Sequence, residues 1–385
     1  MTSKLPFGGE LVQLGDLCEL VLGQSPSSES YNTVGKGLPF YQGNADFGKD
    51  HPSPKTWCTD PKKVAEPGDI LISVRAPIGA INTAVERCCI GRGVAAIRPN
   101  ADVANPEFLK FQLIAHRTIL EAQGTGSTFK AVGKKVLSEH PVTLYPMDVQ
   151  KELARHFASI ISCIGVADAQ LSVLSSLVKS RFAEMFGDGD FPRFRLDKVA
   201  DVQGGLTKNR RRETLPMRLP YLRVANVGPT GGVDTNEMLS IGLTDVEARK
   251  TLLKTDDLLF VEGNGSKDQI GRVAIWDGSI DPCVHQNHLI RARLYKDVLP
   301  IFALTYFSSP DGRRQITNKA ASTSGLFTLS TGKIKSLVLP VPPLSLQHEF
   351  SDFAAQVDKS RVVAQKQKEK LQTLYDSLAQ EYFAI

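Results

Sequence analysis

At 385 residues, with 42% hydrophobic and 23% charged residues, the chain has room for two or three domains and too much apolar content for a disordered one. Its formal charge of +5 allows a nucleic-acid partner without requiring one, because dedicated binders commonly exceed a pI of roughly 9. Cys18, Cys58, Cys88, Cys89, Cys163 and Cys283 make no C-x-x-C pair, the opening residues hold no signal-peptide apolar stretch, and nowhere do about eighteen apolar residues run together. A disulfide scaffold, an exported protein and a membrane protein are not expected from these features, and a soluble cytoplasmic chain with reduced thiols is.

Residues 1–147 read as a first globular unit. Leu38–Tyr41, Ile70–Val74 and Ile78–Ile81 are short β-type runs, and Pro67-Gly68-Asp69 is turn chemistry feeding a buried strand. A helix follows from near Pro106 to Ala122, with Phe108, Leu109, Leu113 and Ile119 facing inward. After a Gly/Ser/Thr loop that includes Ser127, Thr128 and Lys130, a last strand over Pro141–Tyr145 delivers the chain to Pro146.

Residues 148–187 form one long helix of roughly 55 Å. Its apolar residues alternate steps of four and three: Leu153, Phe157, Ile160, Ile164, Ala167, Leu171, Leu174, Val178 and Met185. Gly165 weakens it locally by about 1 kcal/mol relative to alanine, and Arg181 interrupts the stripe. Such a stripe asks for a partner helix. Residues 345–385 supply one, with Phe350, Phe353, Val357, Ala364, Leu371, Leu374 and Leu378 on a similar stripe. Gln150 and Gln347, Glu152 and Glu349, Leu174 and Leu371, and Phe186 and Phe383 are each 197 positions apart. This is an internal repeat.

Between the helices, residues 188–344 repeat the first unit with insertions after the stop Gly187-Asp-Gly-Asp190. Leu14–Leu17 is echoed in Leu196–Val199, Leu38–Tyr41 in Leu219–Leu222, and Gly68–Ile72 in Asp256–Phe260. The Gly126–Phe129 loop is echoed in Ser324–Phe327, and Pro342-Pro343 precedes the second helix as Pro146 precedes the first.

This order of parts resembles the specificity subunit of type I restriction–modification systems over essentially the whole chain. Pro67–Ser73 and its second copy, the two Gly/Ser-Phe loops, and the helix openings around Gln150 and Gln347 carry the resemblance. It implies an α+β fold: two target recognition domains of mixed α/β structure, separated by two long helices packed antiparallel as a coiled-coil spacer. Each domain is expected to read half of a bipartite, asymmetric double-stranded DNA target. The subunit is expected to have no catalysis and no cofactor of its own. It would carry two methyltransferase subunits and join restriction/translocase subunits, the partners using S-adenosylmethionine, ATP and Mg.

Reading the residues for chemistry finds no phosphate-binding G-x-x-x-x-G-K-S/T loop and no Asn/Asp-Pro-Pro-aromatic segment of an amino-methyltransferase. His285-x-x-His288 beside Cys283 fits no common zinc spacing. Asp256, Asp257 and Glu262 near Lys267 faintly suggest a nuclease, although turn acids explain them. The alternative to a binding module is therefore a methyltransferase or nuclease whose site the sequence conceals. Candidate DNA contacts in the first unit are Gln24, Ser25, Tyr41, Gln42, Asn44, Arg75, Ser127, Thr128 and Lys130. Arg75 is the favoured reader, Tyr41 is equally explained as core, and Lys130, Lys134 and Lys135 suit backbone positioning. In the second unit they are Lys208, Arg210, Arg211 and Arg212 for phosphates, and Asn264, Ser266, Lys267, Gln286 and Asn287 for base edges. Arg75-Ala-Pro77 against Glu262–Gly265 implies that the two halves read different bases.

Overall fold

The computed structural model describes residues 6–126, 130–228, 231–323 and 325–383. The chain divides into two compact α+β units, Met1–Ala169 with Gln365–Ile385, and Gln170–Ala364. Each unit thus takes one half of each long helix, Met147–Phe186 and Leu344–Tyr382.

Unit 1 is built on an antiparallel sheet of Cys18–Leu22, Val94–Pro99, Ile70–Ser73 and Ile81–Thr83, in that spatial order. Ile70 to Ser73 are all buried, as expected of a strand covered on both faces. One face packs Ile70, Ile72, Ala95 and Ile97 against Leu109 and Leu113 of the helix Pro106–Ala115. The other packs Leu71, Val94 and Ala96 against Tyr41, Cys88 and Ile90. Unit 2 repeats the sheet with Ala200–Gly204, Leu289–Leu294, Leu258–Val261 and Val273–Ile275.

The Gly-Asp turn is the same device in both. Asp69 is 2% exposed and receives two hydrogen bonds from Arg98, at 2.9 and 2.8 Å, while its Oδ2 accepts from the Glu66 amide. Asp257 is 1% exposed, takes two bonds of 2.7 Å from Arg293, and accepts from the Lys254 amide. The preceding residue is left-handed in each copy, Gly68 at φ +91° and Asp256 at φ +73°. Asp256 and Asp257, two of the acids that faintly suggested a nuclease, are therefore accounted for as turn and ion-pair residues.

A buried glutamine fastens each globular part to its long helix. In unit 1, Gln150 Oε1 accepts from the Asn105 amide, and its Nε2 donates to the carbonyls of Val103 and Tyr145. In unit 2, Gln347 accepts from the Leu299 amide and donates to Asp297 and Pro342. Each joins the loop before a domain helix to the first turn of a long helix. Removing either side chain would take the partner from three backbone groups, at about 1–3 kcal/mol for the buried one, the Tyr145 carbonyl in unit 1 and the Pro342 carbonyl in unit 2.

Within each unit the start of one long helix lies against the end of the other. In unit 1, Phe157 stacks on Phe383 at 4.7 Å and meets Tyr375 edge-on. In unit 2, Phe182 contacts Phe350 at 5.3 Å and Phe186 at 5.0 Å. The repeat exchanges sides here: Phe157 corresponds to Ala354, and Phe182 to Ala379, so each seam holds one phenylalanine and one alanine at that level. Volume is conserved although the helix bearing the ring is not. An ion pair crosses each seam, Lys368–Asp168 at 2.7 Å in unit 1 and Arg181–Glu349 at 2.7 Å in unit 2. A Cβ at Gly165 would lie 3.2 Å from Lys49 Nζ, the far end of a flexible side chain, and nothing else among the described residues stands within 4 Å.

Three details depart from expectation. The helix from Pro106 breaks at His116, where the backbone turns to ψ 4°, and restarts at Arg117. His116 is held there by His140 (2.9 Å) and by the Phe383 carbonyl (2.8 Å). On the second long helix, Leu374 is 47% exposed and Tyr375 takes its place at the seam. A helix of 3.6 residues per turn drifts about 20° per heptad, which rotates a strict seven-residue stripe out of contact. Finally, Met147–Phe186 contains 18 residues apolar enough, by length and composition, to cross a membrane, and only 11% of that window is buried.

Candidate nucleic-acid interface

In unit 1 the loops at one end of the sheet enclose a concavity of about 540 Å³ lined by Ser25, Gln42, Asn44, Asp46, Arg75, Arg92 and intervening small residues. Ser25, Gln42, Asn44 and Arg75 are the candidates that this geometry brings together. The frame is backbone. Gly91 N donates to Tyr41 O (2.8 Å), Val74 N to Gly93 O (2.9 Å) and Val132 N to Val74 O (2.9 Å). The short 3-10 helix Asn44–Asp46 is fixed because Asp46 Oδ2 accepts from the amides of Gln42 and Gly43. Ser73, fully buried, donates to Pro77 O and accepts from Ala80 N, which staples the loop carrying Arg75.

Gln24 and Lys130 are exposed but do not line the concavity, and Ser127 and Thr128 lie outside the described residues. Tyr41 is not a surface group. It is 1% exposed in the apolar cluster with Leu71 and Val94, and burial pushes its hydroxyl up to about 12. Arg92 escaped the sequence reading. Its signal was the Gly91-Arg-Gly93 turn between two strands, visible only once the second copy is aligned on it.

Unit 2 keeps the frame and changes the side chains. Gln286 N donates to Leu222 O (3.0 Å), Glu262 N to His288 O (2.9 Å) and Leu329 N to Glu262 O (2.8 Å). Asn226 takes the place of Asp46, its Oδ1 accepting from Arg223 N at 2.8 Å. These bonds match Arg92 with Asn287 and Arg75 with Gly263. Asn264 and Asn287 are drawn to one end of the sheet by the Glu262–His288 contact of 2.9 Å. Asn264 Oδ1 is already bonded to the Ser266 amide, while Ser266 and Lys267 are exposed. His285 is fully buried, donates to Leu289 O from Nδ1 and is held down to about 4 by desolvation. Among the described residues no group of three metal-ligating side chains is found.

The basic run divides. Lys208, Arg210 and Arg211 are exposed, in a loop tied to Gln286 and Asn287 through Leu206. Arg212 is not available for phosphate: it donates to both oxygens of Glu247 and to the carbonyls of Thr207 and Gly242. The Arg212 guanidinium, with the Thr244 amide, holds the Glu247 carboxyl down to about 2.

Residues 8–174 match the family described as the Type I restriction modification DNA specificity domain. The chain is 39% identical over 165 residues to the MjaX type I restriction enzyme specificity subunit of Methanocaldococcus jannaschii, covering 42% of this chain and 39% of that one. It is 37% identical over 136 residues to the EcoKI specificity subunit of Escherichia coli K12, covering 34% and 28%. These alignments span about two fifths or less of the curated relatives' length. The crystal structure of a type I restriction–modification S subunit from M. genitalium has the same fold, with a TM-score of 0.59 at 14% identity over 100% of this chain and 98% of that one.

Proposed function

We propose that this chain, which carries the Type I restriction modification DNA specificity domain over residues 8–174, is the DNA-specificity subunit of a type I restriction–modification complex. Each unit reads one half of a bipartite duplex target. The observation that carries this reading is the shared backbone frame at the sheet ends, on which Arg75 and Arg92 of unit 1 give way to Gly263 and Asn287 of unit 2. A scaffold used twice with different polar groups at matched positions suits two different half-sites. Exposed Lys208, Arg210 and Arg211 in unit 2, and Lys130, Lys134 and Lys135 in unit 1, supply phosphate contacts beside the readers.

Methyl transfer and cleavage belong to partner subunits, which bring S-adenosylmethionine, ATP and Mg. The long helices offer those partners exposed apolar side chains, Val166 and Val173 being 65% exposed each. The test is methylated-site mapping. The chain alone transfers no methyl group, whereas the chain with methyltransferase subunits and S-adenosylmethionine methylates a split sequence. Exchanging residues 187–343 for the same region of another specificity subunit changes one half of that sequence. A simultaneous change in both halves would defeat the modular reading.

A further inference from the structure

The geometry points to Arg92, with Arg75 beside it, as the residue through which unit 1 reads a guanine. This rests on the proposed DNA-reading role and goes beyond it by naming the side chain and the base.

Arg92 sits at the tip of a turn between the strands Cys88–Ile90 and Val94–Pro99. It is exposed between two buried glycines, of which Gly93 has no room for a side chain here. A Cβ on Gly93 would stand 2.2 Å from Gln42 O, and one on Gly91 would stand 3.1 Å from the Phe40 ring. The turn is closed by Val94 N donating to Gly91 O and anchored by Gly91 N on Tyr41 O. The guanidinium is therefore carried on fixed backbone, which direct reading requires.

The chemistry of the concavity is dominated by donors. Arg75 and Arg92 each carry five N–H groups and no acceptor. Neither forms an ion pair among the described residues, and the one lining carboxylate, Asp46, is already bonded to two backbone amides. An acceptor-rich partner fits such a surface. In the major groove guanine alone offers two acceptors, N7 and O6, side by side, and arginine pairs with both at once. Unit 2 shows that the frame does not need these charges: it makes the matching backbone bonds with Asn287 and Gly263 in their places. The two arginines are thus free of a folding role. They also differ in setting from Lys134 and Lys135, which stand on the helix Lys134–Ser138 outside the concavity.

The experiment uses the full chain in complex with its methyltransferase subunits. Methylated-site mapping is combined with binding to duplexes varied one base at a time. The native complex should require a guanine in one half-site. Arg92→Ala, and Arg92→Asn as the side chain that the unit 2 frame already carries, should each reduce discrimination at that guanine by roughly ten- to hundredfold. The other half-site should stay unchanged. Uniform weakening on all sequences, with the target intact and a shallower salt dependence, would make Arg92 a phosphate contact and overturn the inference. A half-site without guanine would overturn it too, while leaving the DNA-reading role standing. No sequence preference in the native complex would remove the reading role itself.

Discussion

The two sheet ends differ in side chains while sharing their hydrogen bonds. In unit 1 Val74 bonds to Gly93 and Gly91 to Tyr41; in unit 2 Glu262 bonds to His288 and Gln286 to Leu222. Because both frames are main chain to main chain, rim positions such as those of Arg75 and Arg92 can change side chain without breaking them. Beneath them, where a side chain does close the structure, the copies agree: Asp69 with Arg98 and Asp257 with Arg293, Gln150 and Gln347. The molecule separates what may vary from what may not by whether the backbone alone supports it.

The largest effect expected from breaking that rule is at the shared aspartates. Asp69→Ala and Asp257→Ala each take from an arginine its buried carboxylate and from a turn amide its acceptor, at about 3 kcal/mol or more, Arg98 keeping only Glu19. The two tryptophans report separately, Trp57 from unit 1 and Trp276 from unit 2. In denaturant unfolding, each substitution should shift the transition of its own reporter. Equal shifts in both would show that the units do not unfold independently.

A second effect, at His140 of unit 1, depends on pH. Desolvation, and then His116, hold His140 down to about 4 from 6.5. At neutral pH it is uncharged in folded and unfolded chains alike. Between pH 6.5 and about 4 only the unfolded chain takes up the proton, so stability falls as pH falls, by roughly 3 kcal/mol at the acid end. Leu337 occupies this place in unit 2, where it accepts from Leu196 N as His140 does from Leu14 N. His140→Leu should flatten this part of the acid loss, measured as unfolding midpoints from pH 7 to pH 4. An unaltered pH profile would mean that the proton goes elsewhere.

The smallest effect is at the left-handed turn. Asp256→Gly should stabilise unit 2 by about 0.5–1 kcal/mol, whereas Gly68→Ala should cost unit 1 about 1–2 kcal/mol. Matching signs for the two substitutions would show that the turns are not equivalent.

Much of this architecture is legible in the sequence because it repeats. The heptad stripe, the offset of 197 residues and the Gln150/Gln347 pair are patterns of identity or period, and the structure gives each a physical role. What was not legible depends on residues far apart in the chain. Arg212 looks like one more cation in a basic run until Glu247 is folded onto it. Tyr41 reads as either a DNA contact or core until Leu71 and Val94 enclose it. Arg92 gains its setting only from the approach of Gly93 to Gln42. Leu374 fails because an ideal heptad does not describe a helix of 3.6 residues per turn.

The division of the long helices bears on the order in which the protein is made. Residues 170–364 follow one another in the chain, so unit 2 has every part of its core once Ala364 has been synthesised. Unit 1 begins earlier yet finishes later. Phe157 lacks Tyr375 and Phe383, and His116 lacks a carbonyl 267 positions away, until the second long helix has emerged. A growing chain therefore carries the open face of unit 1, with Phe108, Phe111 and Phe157 uncovered, through the whole synthesis of unit 2. Of the two units, the one translated earlier is the more exposed to misassociation, and the last turns of the second long helix end that exposure.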